Sequence, residues 1–239
     1  MSMPIDRKFR LPRIWSNDEL RKCAHLFEGD VVNVSGWKDE DKQGGNYRSY
    51  FKNASSYTIT NYKPETRGFQ GKEGEIFLDL TKPLDIELKS KFDVVFCHTV
   101  LEHVFELGQA FSNLCDMSKE AVILVVPFLQ QMHADYGDYW RFTPSAIHMM
   151  FEKHGFHSLY ISFNTHPRSS VYVFAIAVRD LNKWSKIIKP KLDYLDPIDP
   201  EDGFEPYAGC HALESKLHYY LRITQLKKMI KYLRVWKLR

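Results

Sequence analysis

FDVVFCHTVLEHV, residues Phe92 to Val104, passes from an apolar run straight into a dense polar cluster. Phe92, Val94, Val95 and Phe96 leave no polar face, as a strand covered on both sides by helices requires. Cys97, His98 and Thr99 follow at its carboxyl end, where open α/β sheets bind their ligands. Leu101, Val104, Phe105 and Leu107 then recur at helical spacing, which leaves Glu102 and His103 at the mouth of the crevice. The local order is strand, site, helix.

Outward from this stretch the same alternation repeats. A helix over Glu106 to Met117 leads into AVILVV, Ala121 to Val126, a second continuous apolar strand that Pro127 is expected to end. Upstream, VVNVS (Val31–Ser35), SYTITN (Ser56–Asn61) and IFLDL (Ile76–Leu80) read as three more strands. Before them, Ser16-Asn17-Asp18-Glu19 matches a capping box and predicts a first helix over about 17 to 27. Downstream, Thr143-Pro144 opens a helix that Gly155 stops, and Ser158–Phe163 with Val171–Arg179 form a closing antiparallel pair. The expected fold is α/β: a mostly parallel sheet with right-handed crossovers, over residues 1–180. Residues 181–212 are Pro- and acid-rich without a clear period, and 213–239 read as a basic amphipathic C-terminal helix.

Two phrases carry a resemblance. FDVV followed by LEHV resembles the fourth motif region of class I S-adenosylmethionine-dependent methyltransferases, in particular their broad small-molecule branch. Asp138–Pro144, DYWRFTP, is similar to a phrase of methyltransferases associated with bacterial surface-glycan synthesis. The resemblance spans about Gly29 to Val178. It implies a Rossmann-like, doubly wound sheet of about seven strands ending in an antiparallel hairpin, S-adenosylmethionine as cofactor, S-adenosylhomocysteine as product, and cofactor contacts from the segments just beyond the strands. Those positions are Ser35, Gly36 and Trp37 after the first strand, Asn61 after the second, Asp79 and Leu80 after the third, and His98, Glu102 and His103 after the fourth.

The sequence departs from the family pattern in three places. Asn33 stands where an acid is usual, Trp37 where a further glycine is usual, and Asn61 where dinucleotide-type folds put an acid on the ribose hydroxyls. Asn61 reads equally as a turn former, and Asp79 reads either as a group meeting adenine or as the cap of its own turn.

The loop PFLQQMHADYGDYWRFTP lies beyond the carboxyl end of a central strand, a position where loops carry function. His133, Asp135, Tyr139, Trp140 and Arg141 are its candidate substrate contacts, since aromatic faces beside acids and a fork-shaped guanidinium suit a sugar. A sugar hydroxyl is a poor nucleophile until deprotonated, and His has the best-matched ordinary pKa for that task. His133 is the first candidate base, with His98 and His103 behind it and Asp138 as an alternative base or as the partner orienting a His. No carboxylate cluster is legible, so no metal is expected.

The net charge is +3, yet Lys216 to Arg239 alone hold eight basic residues and no acid. The body is therefore mildly acidic, which argues against a nucleic-acid groove in it. The tail has the composition of a helix lying on an anionic membrane surface, or of one packing on its own domain or on a second copy. The four cysteines have no CxxC spacing, and no leader or bilayer-spanning run is legible. A cytoplasmic setting, peripheral at the inner membrane, is the expectation. The expected function is O-methylation of a sugar hydroxyl of a bacterial surface glycan, lipopolysaccharide or capsule, or of its lipid-linked precursor. The rival is a non-catalytic relative acting as a membrane-tethered partner.

Overall fold

The computed structural model describes residues 10–63, 68–133, 137–166, 169–192, 208–209 and 212. Its strands are β1 (Gly29–Val34), β2 (Ala54–Asn61), β3 (Glu75–Phe77), β4 (Phe92–His98), β5 (Ser118–Leu129), β6 (His157–Phe163), β7 (Val171–Val178) and β8 (Lys191–Leu192). The helices are α1 (Leu11–Cys23), α2 (Leu107–Met117), α3 (Pro144–Lys153) and the single turn α4 (Leu181–Trp184). All eight strands form one sheet in the order β3-β2-β1-β4-β5-β7-β6-β8. The run from β3 to β5 is parallel, β7 is antiparallel to both neighbours, and β8 is parallel to β6. The α/β fold with its antiparallel strands near the end is the one expected, with one strand more than seven.

Burial explains why the middles of the central strands are apolar. Val95 and Cys97 of β4 face a core shared with Phe111 and Leu114 of α2 and with Ile147 and Phe151 of α3. Val94 and Phe96 face the opposite core with Leu20 and Ala24, which lie in and just after α1, and with Phe27, Tyr47 and Trp184. Helices thus cover both faces of β4, and its side chains alternate between two dry compartments.

The order of strands also locates the site. The chain winds outward from β1 to β2 and β3, then returns to place β4 on the other side of β1. That reversal opens a crevice beyond the carboxyl ends of β1 and β4. The segments after β1, β2, β3, β4 and β5 all leave the sheet at this one edge, because those five strands are parallel.

Two expectations are corrected. The first helix begins at Leu11, with Pro12 in its first turn, so Ser16 and Glu19 lie inside it and form no capping box. Ser16 is fully buried and its hydroxyl meets the His98 ring instead; tertiary burial has overridden a local capping signal. Pro127 does not end β5, which continues to Leu129 through a shift of register opposite β7, an irregularity that accommodates a residue without an N–H. Within 181–212, β8 adds a short edge to the sheet. The basic segment 213–239 lies outside the described residues.

Candidate active site

Two polar clusters occupy the crevice. The first is built on His98, the last residue of β4, whose buried ring is held from α1. Arg13 donates to His98 Nδ1 at 2.9 Å, to the Tyr47 hydroxyl at 3.0 Å and to Thr99 Oγ1 at 2.9 Å. A guanidinium can only donate, so Nδ1 is an acceptor and Nε2 carries the hydrogen toward Ser16 Oγ at 2.8 Å. Ser16 Oγ in turn donates to the carbonyl of Arg13 at 3.0 Å. Burial first, and the Arg13 charge second, hold the His98 pKa well below its ordinary value. His98 is therefore a neutral anchor for α1, with both nitrogens engaged, and this geometry sets it aside as a base.

The arrangement predicts a pH dependence of stability. Unfolded, the imidazole takes up a proton below its ordinary pKa of 6.5, whereas the folded ring stays neutral. Stability contributed here is complete above that pH and falls as the pH drops below it, because the unfolded state then binds more protons. The expected slope approaches about 1.4 kcal/mol per pH unit. Urea unfolding of wild type and His98→Gln from pH 7 to pH 5 checks this: the amide preserves both hydrogen bonds and should remove that slope. Parallel profiles would refute it.

Arg13 has no carboxylate within ion-pair distance among the described residues.

The second cluster joins the turn after β4 to the loop after β5. Glu102 and His103 lie in the 3₁₀ turn Leu101–His103. The amides of Tyr139 and Trp140 donate to the Glu102 carbonyl at 2.8 and 3.4 Å, and the Trp140 indole N–H donates to the Val104 carbonyl at 3.0 Å. DYWRFTP is thereby strapped onto LEHV. Both Glu102 carboxylate oxygens are buried and accept no hydrogen bond from the described residues. Burial raises the Glu102 pKa to about 8. His103 Nδ1 donates to the Gly137 carbonyl at 2.5 Å, and its ring stands edge to face with that of His133, centroids 4.9 Å apart.

Behind His133 sits a fixed ion pair. Arg141 grips Asp138 with two nitrogens at 2.5 and 2.7 Å, and the His133 amide donates to Asp138 Oδ2 at 2.9 Å. Arg141 above all, helped by the His133 amide and opposed by burial, holds the Asp138 pKa at about 2. Such a carboxylate is too weak a base to take a hydroxyl proton, so Asp138 serves as an orienter. Glu102 and Tyr172 act electrostatically on both Arg13 and Arg141.

The turn after β1 has an unusual backbone. Ser35, Trp37 and Asp39 take positive φ of 53°, 47° and 60°, alternate residues in a conformation that favours glycine. It is held from within: Asn61 Oδ1 accepts from the Trp37 amide at 2.7 Å, and Asn61 Nδ2 donates to the Trp37 carbonyl at 3.2 Å and to Glu75 Oε1 at 2.6 Å. Asn33 donates to Asp39 Oδ1 at 2.8 Å, and a side chain at Gly36 would run into Asn33, 2.6 Å from its Nδ2. Asn61 thus staples the turn, as its turn-forming alternative requires, and brings the carboxylate of Glu75 beside the end of β2. Asp79 accepts from the Thr81 amide and hydroxyl at 2.9 and 2.7 Å, the turn-capping alternative. Ser35, Gly36 and Trp37 follow the carboxyl end of β1 and Asp79 that of β3, while Leu80 is buried in the core.

Of the candidate substrate contacts, Trp140 is half-buried against Phe105, whereas Tyr139 remains 52% exposed and Phe105 63%. Asp135 lies outside the described residues. Sequence reasoning missed Arg13 and Tyr172. Pro12 was the available signal for Arg13: a proline in the first turn starts the helix early and puts Arg13, Ser16 and Leu20 on one face. Tyr172 sits in the run VYVFAIAV and carried no signal. The fold also assembles what the sequence did not reveal as a possible ligand set, one carboxylate and two imidazoles, Glu102, His103 and His133.

No protein-family model and no curated protein sequence matches the chain. Solved structures do. A candidate methyltransferase of Bacillus halodurans aligns at 12% identity over 68% of this chain and 97% of its own, TM-score 0.50. A chain of the Haloferax volcanii complex between the Trm112 methyltransferase activator and a candidate methyltransferase aligns at 10% identity over 73% of this chain and 92% of its own, TM-score 0.52. Magnesium protoporphyrin IX methyltransferase of Synechocystis, solved with S-adenosylhomocysteine bound, aligns at 12% over 75% and 89%, TM-score 0.48. The fold is the Rossmann-like methyltransferase fold, as the first two likenesses and the strand order establish.

Proposed function

We propose that the protein is an S-adenosylmethionine-dependent O-methyltransferase acting on a sugar hydroxyl of a bacterial surface glycan or its lipid-linked precursor. The observation that carries the reading is the convergence of Arg13, His98, Glu102 and His133 on the crevice at the β1/β4 reversal. The donor set fits the cofactor at its anionic end, where Arg13 offers a half-buried cation to the methionyl carboxylate. The turn Ser35–Trp37, the Asn61–Glu75 pair and Asp79 border the place for the nucleoside. When bound, S-adenosylmethionine supplies a methyl group on positively charged sulfur, open to an oxygen in line with the carbon–sulfur bond.

The chain's own residues supply the rest. Methyl transfer demands alignment more than acid–base strength. The LEHV turn and the DYWRFTP strap are one hydrogen-bonded unit, so they hold the acceptor side rigidly. The exposed ring faces of Tyr139 and Phe105 suit the C–H faces of a sugar. Glu102, His103 and His133 are the groups placed to handle the proton of the acceptor hydroxyl as its oxygen takes the methyl. His98 and Asp138 act indirectly, one anchoring α1 and the other orienting His133. No helix among the described residues is long and apolar enough to cross a membrane; the basic segment 213–239 is the part proposed to bring the enzyme to an anionic membrane surface.

A second reading, a non-catalytic relative, draws support from the side chains at 35, 37 and 39 and from the engagement of Asn61 within the protein. Calorimetry with S-adenosylhomocysteine decides between them. Micromolar binding is expected, and absence of binding at millimolar ligand would leave the partner protein as the reading.

A further inference from the structure

Glu102, His103 and His133 each bring one ligand atom into a space in which all three lie within 4.8 Å of one another. His103 Nε2 and Glu102 Oε1 are 3.7 Å apart, close to the separation of about 3.4 Å for two ligands bound at about 2.1 Å to a tetrahedral ion. The second shell is also in place. His103 gives its Nδ1 hydrogen to a backbone carbonyl, the contact that turns the other ring nitrogen toward a metal. His133 Nδ1 faces the Gln131 carbonyl at 3.4 Å and Asp138 Oδ2 at 3.5 Å, a carboxylate that Arg141 holds still. Glu102 is the independent sign: a carboxylate 1% exposed, with neither oxygen hydrogen-bonded among the described residues, has the environment of a ligand waiting for a cation.

We propose that Glu102, His103 and His133 form a three-ligand site for a divalent transition ion of the zinc class, open on the side of the crevice. Two imidazoles and one carboxylate suit that class better than calcium or magnesium, which prefer all-oxygen shells. One carboxylate and two neutral rings leave a net positive ion, while the charges of Asp138 and Arg141 cancel each other. Three protein ligands leave a fourth position, which a hydroxyl oxygen of the acceptor can fill, lowering its proton affinity. The ion's task rests on the methyltransferase reading, whereas its seat does not.

The test uses the full chain, stripped with a chelator and titrated with Co²⁺ alone, then with Zn²⁺ as competitor. A visible ligand-field band saturating at one ion per chain is expected, displaced by Zn²⁺. Glu102→Gln, nearly the same shape, and His133→Ala should each bind at least about 100-fold more weakly, and Asp138→Asn about 10-fold. Circular dichroism on the same samples checks their folding. A stripped wild type that takes up neither ion, or a folded Glu102→Gln that binds as tightly as wild type, overturns the site. Calorimetry with S-adenosylhomocysteine on the same preparations separates the two readings. Donor binding without cobalt binding defeats the metal site alone, and cobalt binding without donor binding defeats the methyltransferase reading alone.

Discussion

His133→Ala is expected to lower turnover by at least about 100-fold while leaving the affinity for S-adenosylhomocysteine unchanged. The imidazole stands in the acceptor cluster, 4.9 Å from the His103 ring, and is fixed from behind by Asp138. Its removal takes away a group that handles the acceptor proton, whether directly or as a ligand, and touches nothing in the Arg13 cluster. The measurement is transfer of labelled methyl to a lipid-linked or lipopolysaccharide acceptor, with calorimetry as the control. Undiminished transfer would move acceptor activation away from this cluster. Equal losses in turnover and in donor affinity would mean that the two clusters form one binding surface.

Arg13→Met should have the complementary effect. Removing the cation at the anionic end of the donor is expected to weaken S-adenosylhomocysteine about 100-fold, the equivalent of about 3 kcal/mol for a buried hydrogen bond to a charged group. Met keeps the aliphatic bulk of the side chain on α1, so packing against the sheet changes little. His98 Nδ1 loses its donor, and a moderate drop in stability accompanies the loss of affinity. Arg13→Lys distinguishes charge from shape: an ammonium keeps the charge but cannot reach His98, Tyr47 and Thr99 with one planar fork. A Met variant that binds the donor as tightly as wild type would show that Arg13 serves only to tether α1.

The two variants probe residues that differ in how visible they were. His133 stood out because a histidine amid acids and aromatics, just past a strand of pure apolar residues, has few structural reasons to be there. Arg13 did not, because Ser16 through Glu19 imitated a helix start and left the preceding residues outside any expected element. The imitation fails only when β4 is in place: His98 then offers Ser16 a buried partner, which outweighs a cap worth about 1 kcal/mol at the surface. Asn61 illustrates the converse. Its place at the end of β2 was legible, but its direction was not, since an amide can serve a ribose hydroxyl or a neighbouring backbone equally well. Trp37, held at positive φ, took it.

Periodicity and punctuation in the chain were enough to determine the alternation of strands and helices, the parallel centre, the antiparallel closing pair and the edge of the sheet where polar residues gather. Local patterning suffices for these, because a strand covered on both faces must be apolar throughout and the chain must turn where that strand ends. Which polar groups meet was decided by tertiary structure alone. Arg13 reaches His98 across 85 positions and His103 reaches Gly137 across 34, and neither pairing leaves a trace in local composition. Glu102 is the sharpest case: nothing in LEHV says that its carboxylate is buried without a partner, since burial depends on the strap that folds over it from the far side of β5.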